Sequence, residues 1–267
     1  MKTKHLITVL LVISASLGIV SCDDDDERFF LYQIDDIYFP DRPISGVTVE
    51  ITGSSSVGMT GGVAPYTVET GDERIAKAKI NEEYGYVTIG AVQLGTTDLI
   101  VRDANGLTAK IEVKVIKGRS SFYTKYGVSA QIEGLGDSEK AVLEKQVIAD
   151  SDMQVTGRFD LVYDTKDDGM LTISLRNNDA NPILASFTRE IKQVDEKTFT
   201  SYIYVNYKGA DHVFYYAAPE KPLLEDGGTR ALGPMRSWLV EDVTEIYKNA
   251  YPQVTSVKRI YDGETYR

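Results

Sequence analysis

Residue types that commonly do chemistry are scarce in this sequence. It has one cysteine, Cys22, and two histidines, His5 and His212. His5 lies in an N-terminal stretch with the charge and hydropathy of a secretory signal, so we expect the mature chain to keep only His212. A single cysteine cannot form an intrachain disulfide, and one histidine cannot build a multi-histidine zinc site. These residue types therefore leave one strong candidate for chemistry, the thiol of Cys22.

Cys22 stands at the end of an apolar segment and before an acidic block, in LGIVSCDDDDE (residues 17–27). Lys2 and Lys4 precede the apolar run of residues 6–20, which is too short for a stable membrane-spanning helix. The residues Ile-Val-Ser before Cys22 resemble the lipobox of bacterial lipoproteins. The resemblance implies cleavage before Cys22 and acylation of its sulfur and its new amino group. Each buried acyl methylene adds roughly 0.8 kcal/mol of membrane affinity, so several chains make a lasting anchor.

The acidic block Asp23–Glu27 resembles the surface-export signal that follows the lipidated cysteine in Bacteroidetes lipoproteins. The resemblance implies a lipid-anchored protein of the outer membrane, facing the cell exterior; a merely solvated acidic tether is the alternative. The net charge is −11. An acidic chain repels nucleic acid and anionic membrane surfaces, so we expect neither as a partner beyond the lipid anchor.

Catalytic and metal-binding patterns are weak. A Ser-His-Asp arrangement would have to include His212, which lies beside the turn KGAD (208–211) and is interpreted as a surface residue at a strand end. DTKDDG (164–169) invites comparison with a calcium loop, but Lys166 holds a ligand position and Leu175 stands where a bidentate glutamate belongs. It is interpreted as a hairpin turn. The sequence predicts no cofactor, no metal site and no enzyme; a carboxylate-based hydrolase is the alternative, although nothing marks a carboxylate pair.

Residues 37–117 alternate apolar and polar residues in short runs separated by turns, which predicts a β-sandwich. GSSSVGMTGG (53–62) is interpreted as a flexible turn, and Asp103–Gly106 as a tight one. The stretch VTIGAVQLGTTDLIVRDANGLTAKIEVKV (87–115) resembles the C-terminal half of bacterial Ig-like (group 2) domains, and PYTVETGDERIAKAKI (65–80) resembles their middle section. The resemblance implies an Ig-like spacer or adhesion module.

A short linker, residues 117–121, precedes a second domain, residues 121–267, predicted to be α+β with an antiparallel sheet. DSEKAVLEKQVIADSD (137–152) predicts a helix, with strand as the alternative, and several strands follow it. The loop 219–233 is rich in proline and glycine. From Pro234, apolar residues recur at spacings of three and four as far as Ala250, which predicts a second helix. The chain is thus expected to be mainly β, with a signal peptide at 1–21 and an acidic tether at 22–36.

Tyrosines cluster in the second domain. Tyr202 and Tyr204 fall on one face of a predicted strand, whereas Phe199, Ile203, Val205 and Tyr207 fall on the other. A sheet covered on both sides, a small barrel around a ligand cavity and an exposed aromatic platform are all compatible with this pattern. The sequence therefore predicts a surface-exposed, non-catalytic interaction or scaffold lipoprotein. The alternative is a glycan-binding lipoprotein that uses Tyr202 and Tyr204, and the other partner considered is a second surface protein.

Overall fold

The computed structural model describes residues 28–34, 42–218 and 235–266. Cys22, the acidic block and the loop 219–233 lie outside the described residues, so the predictions made for them stay predictions. Within the described part of the chain, no helix combines the length and the apolar character needed to span a bilayer.

The first half of the chain folds as a β-sandwich of two four-stranded sheets. Its strands are β1 (Phe30–Gln33), β2 (Gly46–Glu50), β3 (Ser54–Thr60), β4 (Thr67–Thr70), β5 (Ala76–Asn81), β6 (Tyr86–Ala91), β7 (Gly95–Arg102) and β8 (Thr108–Ile116). One sheet has the order β1-β3-β6-β5, and the other has the order β2-β8-β7-β4. The pair β2–β8 is parallel and the other pairs are antiparallel.

Alternation of side chains fixes the sandwich core. In β8, Ala109, Ile111, Val113 and Val115 are buried, and the residues between them are exposed. This period of two places one side of each strand between the sheets. The predicted turn at Asp103 is confirmed, because its carboxylate accepts hydrogen bonds from the backbone N–H groups of Asn105 and Leu107.

The second half folds as eight antiparallel strands that close into a barrel. They are β9 (Gly118–Glu133), β10 (Arg158–Tyr163), β11 (Asp168–Ser174), β12 (Ile183–Gln193), β13 (Phe199–Tyr207), β14 (Ala210–Ala217), β15 (Met235–Asp242) and β16 (Ser256–Tyr266). Each strand pairs with the next, and β16 pairs with β9 to complete the circle. Closure removes the exposed sheet edges that an open sheet would leave.

Apolar side chains fill the barrel. Phe122, Phe159, Phe187 and Phe214 are buried inside it, and the Phe159 and Phe214 rings lie 4.9 Å apart. Helix α1 (Asp137–Ala149) covers one end, and a short helix α2 (Thr244–Tyr247) connects β15 to β16. A mainly β chain with an Ig-like sandwich followed by an α+β domain is thereby confirmed, and so is the helix predicted from residue 137.

Four predictions of local structure are wrong. The acidic tether predicted at residues 22–36 contains strand β1, because Phe30–Gln33 pairs with β3 in the sandwich. The helix predicted from Pro234 is strand β15 over its described first half. The apolar spacing resembles that of a helix because apolar residues are buried on both faces of this strand. Leu239 faces the barrel interior, and Val240 is buried on the outer face. Residues 118–121, predicted as linker, open strand β9.

The stretch predicted as a flexible turn at residues 53–62 contains strand β3. Its small residues suit close packing, because the ring of Tyr32 lies where a side chain at Gly58 would stand: a Cβ there would come within 2.1 Å of the ring. The sequence composition that suggested flexibility therefore serves a tight contact between β1 and β3.

Candidate functional site

The barrel has an open end opposite helix α1, and a cavity of about 540 Å³ occupies it. Strands β10, β12, β14 and β16 end there, and β9, β11, β13 and β15 begin there. The turn that follows β2 in the sandwich, including Thr52 and Gly53, lines one side. We call this space the mouth cavity. It is the kind of concave, partly apolar space in which proteins hold small molecules.

Two tyrosines contribute aromatic surface to the mouth cavity, and both pack on phenylalanines of the barrel core. Tyr163 meets Phe187 edge-on, with ring centroids 5.1 Å apart. Tyr216 packs against Phe122 at 6.3 Å. The cavity is therefore bounded by rings whose positions are fixed by the packed core, which favours a preformed site.

Arg189 is the principal polar group of the mouth cavity. Its guanidinium lies 5.2 Å from the centre of the Tyr163 ring, within the range of a cation–π contact. Its Nη2 atom is 3.7 Å from a carboxylate oxygen of Asp167, beyond hydrogen-bond distance. Its Nε atom is buried and has no acceptor among the described residues. A buried donor without an acceptor costs about 1–3 kcal/mol. A hydrogen-bond acceptor brought to the Nε atom of Arg189 would remove this cost.

The other arginines of the cavity differ in how they are held. Arg236 forms a two-pronged pair with Asp262, with distances of 3.0 and 2.7 Å, and its guanidinium lies 4.6 Å from the Tyr126 ring. The hydrogen bond to Asp262 raises the pKa of Arg236. Arg119 lines the cavity from β9, and Glu50 is the one acidic residue among the described lining residues. Three arginines thus line the mouth of a chain whose net charge is −11, and the charge of one of them, Arg236, is balanced by Asp262.

A second polar cluster lies deep in the barrel, near the end covered by α1. Glu241 is fully buried and is bonded to His212 Nδ1 at 2.7 Å, Arg259 Nη1 at 2.8 Å and the Tyr261 hydroxyl at 3.0 Å. Arg259 also donates from Nε to the carbonyl of Val147 in the last turn of α1, at 3.0 Å. The cluster therefore ties the helix to the barrel wall.

His212 corrects the expectation of a surface residue. It is only 9% exposed, and the ring of Tyr207 stacks on it with centroids 3.7 Å apart. The alternation of side chains along β14 points His212 into the barrel, where its Nδ1 atom forms a hydrogen bond with Glu241. A substrate cannot reach a ring covered in this way without moving Tyr207, so the arrangement fits a structural pair better than a general base.

Tyr202 and Tyr204 lie on the outer face of the barrel, apart from the mouth cavity, and both are partly exposed. Tyr202 packs against Tyr215 at 5.3 Å with an angle of 48° between the rings. Lys192 Nζ lies 5.5 Å from the ring centre of Tyr202 and 5.4 Å from that of Tyr204, and it donates to the Tyr204 hydroxyl at 2.8 Å. The two predicted residues therefore belong to an outer aromatic cluster with a lysine across it.

Residues 164–167 form the turn that joins β10 to β11, which confirms the hairpin predicted at residues 164–169. Within the described ranges, no group of three or more His, Cys, Asp or Glu side chains is placed to hold a metal ion.

Sequence reasoning missed Arg189. A signal for it exists, because Ala185, Phe187 and Arg189 share one face of β12. An arginine in the inward register of a strand with an apolar inner face indicates a polar function inside.

The comparisons with known proteins add little. No protein-family model matches the chain, and no curated protein matches it. A solved structure described as Protocadherin Gamma B7 extracellular cadherin domains 1-4 is similar over 82% of this chain and 74% of that chain, with 10% identity and a TM-score of 0.19. A likeness at that TM-score carries no argument about the function of this chain.

Proposed function

We propose that this chain is a lipid-anchored, non-catalytic binding protein of the bacterial surface that holds a small molecule in the mouth cavity of its barrel. The observation that supports this proposal most is the cavity itself, about 540 Å³ in volume and bounded by fixed tyrosines and by Arg189. The sandwich then acts as a spacer between the anchor and the barrel, and it also contributes one wall of the site.

A binding role is favoured over catalysis by the position of the reactive groups. The mouth cavity offers arginine, tyrosine and serine side chains, which suit recognition. The pair His212–Glu241, which has the residue types for acid–base chemistry, lies near the other end of the barrel beneath Tyr207. Binding and acid–base groups are therefore separated by the packed core.

A fragment screen with a cavity-filling variant tests the binding site. Neutral, cationic and anionic fragments are screened by ligand-observed NMR against soluble protein from residue 23 onward, against Ser201→Trp and against Ser186→Trp. Ser201 lines the cavity, whereas Ser186 is exposed on the outer face of β12. We expect fragments that bind the wild type and Ser186→Trp but not Ser201→Trp. If every fragment that binds also binds Ser201→Trp, or if none binds, the proposed site is wrong.

The anchor and the compartment are tested separately in cells. Cys22→Ser in the full chain is expected to abolish incorporation of a labelled fatty acid and to release the protein from the membrane fraction. Replacing Asp23–Asp26 with alanines is expected to keep the lipid but to protect the protein from protease added to whole cells. Lipid incorporation into Cys22→Ser would contradict the anchor, and unchanged protease sensitivity of the alanine variant would contradict the export role of the block.

A glycan-binding role on the outer face is the second candidate, supported by the cluster of Tyr202, Tyr204 and Tyr215. Partly exposed tyrosine rings can stack on sugar rings. The test is migration through native gels cast with polysaccharides, with a Tyr202→Ala/Tyr204→Ala variant as the comparison. Retardation that the folded variant loses would support this role, and migration unaffected by every polysaccharide would exclude it for that panel.

A further inference from the structure

We infer that the mouth cavity selects small organic anions, with the oxyanion group of the ligand bound by Arg189 and its ring or apolar part lying on Tyr163 and Tyr216. This inference rests on the proposed function, because it names the ligand class of the same cavity. Three features of the described residues support it. The Nε–Nη2 edge of Arg189 has no full partner, the carboxylate of Asp167 that lies nearest to it is loosely held, and the rings of Tyr163 and Tyr216 line the same cavity.

Among the described residues, none fills the Nε–Nη2 edge of Arg189. In Arg236, Nε and Nη2 both bind Asp262, and in Arg74 the same two atoms bind Asp72. This two-pronged edge matches the two oxygens of a carboxylate or the oxygens of a phosphate. In Arg189, Nε has no acceptor among the described residues, and the nearest carboxylate oxygen of Asp167 is 3.7 Å from Nη2.

Asp167 is a weak competitor for that edge. Its side chain is 72% exposed, whereas that of Arg189 is only 16% exposed. The backbone of Asp167 is fixed by a hydrogen bond from the Arg189 N–H to its carbonyl, so its carboxylate can turn away while the turn stays in place. An entering oxyanion therefore displaces an exposed, loosely paired carboxylate and gains a shielded guanidinium.

The rest of the ligand meets aromatic surface. Tyr163 lies directly beside the Arg189 guanidinium, and Tyr216 also lines the cavity. A planar ring attached to the anion would contact these side chains while its charged group reaches the arginine. Because the chain as a whole is acidic, long-range attraction does not favour anions, and selection depends on direct contact in the cavity.

The experiment is a titration of soluble protein from residue 23 onward with benzoate, phenyl phosphate and benzamide, the neutral analogue of benzoate. We expect both anions to bind at least about ten-fold more tightly than benzamide, because hydrogen bonds between two charged groups are stronger than those in which one group is neutral. The tighter of the two anions distinguishes a carboxylate ligand from a phosphate ligand.

Three variants assign the selectivity. Arg189→Gln is expected to bring the affinity for both anions down to that for benzamide, without changing the latter. Asp167→Asn removes the negative charge that competes for Arg189 and is expected to tighten anion binding several-fold. This variant tests the role of Arg189 even if Arg189→Gln does not fold. Arg176→Gln, which makes the same charge change at an exposed residue after β11, is the matched control and is expected to change nothing.

The outcomes separate this inference from the proposed function. Equal affinity for benzoate and benzamide, with both lost in Ser201→Trp, would overturn the selection of anions and leave the binding site standing. Anion preference that Arg189→Gln retains, or that Asp167→Asn fails to strengthen, would overturn the role of Arg189. A fragment screen without any binder would overturn both.

Discussion

The buried carboxylate of Glu241 gives the sharpest test of how the barrel is held together. Glu241→Gln keeps the shape of the side chain but removes the negative charge that faces Arg259, a residue only 5% exposed. Removing one partner of a buried ion pair costs about 3–5 kcal/mol, because the other charge is left buried without compensation. The total stability of a domain is about 5–15 kcal/mol, so this single change is expected to remove a large part of it.

Trp238 provides the assay. It is the single tryptophan of the chain, it is partly buried, and it lies on β15, three residues before Glu241. Its fluorescence during thermal unfolding therefore reports the barrel without a contribution from the sandwich. For a domain of this size a loss of 1 kcal/mol lowers Tm by about 2–4 °C, so Glu241→Gln should unfold roughly 6–20 °C below the wild type.

Two further variants complete the test. Glu190→Gln makes the same change at a carboxylate that is 58% exposed, and we expect a loss of no more than about 0.5 kcal/mol. The pair of changes Glu241→Leu/Arg259→Met removes both charges and should cost less than Glu241→Leu alone. A Glu241→Gln protein that unfolds within about 1 kcal/mol of the wild type would refute the view that Arg259 depends on this carboxylate.

Three other predictions concern the junction, the barrel rim and the helix. A Cβ at Gly118 would lie 2.6 Å from the Thr52 hydroxyl oxygen, so Gly118→Ala should loosen the contact between sandwich and barrel and raise protease cleavage near residue 117. Gly90→Ala is the control, because the nearest atom to a Cβ at that position is 3.9 Å away. Hydrogen bonds from Lys125 and Tyr126 lower the pKa of Glu264 from 4.5 to about 2. This stabilisation is full above pH 4.5 and is lost as the pH falls toward 2, so urea midpoints of Glu264→Gln should vary less with pH over that range than those of the wild type. Leu143→Ala in α1 removes a fully buried side chain and should cost about 2–5 kcal/mol by urea unfolding, whereas Val142→Ala, at an exposed position of the same helix, should cost little.

Much of the local structure follows from the sequence, because its causes are local. The alternation in β8 and the turn at Asp103 are set by neighbouring residues, and both predictions are confirmed. The helix over 137–149 is confirmed for the same reason, although no side chain caps its first turn. The separation of Tyr202 and Tyr204 from the inward face of β13 is also confirmed, since strand geometry alone dictates it.

The errors arise where distant residues decide. Ser54–Thr60 is a strand because Tyr32 and β6 pack on it, and β15 is a strand because β14 and β16 pair with it. The residues within each of these two segments do not reveal the strands that pair with them. In β15 the local spacing of apolar residues even resembles that of a helix. Tertiary pairing thus overrides local spacing in both places.

By itself the sequence determined the class of the chain, the faces of its strands and the candidate lipid anchor, since these depend on composition and on neighbours a few residues apart. Only the tertiary structure decided that the second sheet closes, because closure depends on pairing between the first and last strands of that domain. Closure turns Arg189 toward a cavity and His212 toward Glu241, contacts that no spacing along the chain encodes. The candidate site belongs to the barrel as a whole, since its residues come together only when the two ends of the domain pair.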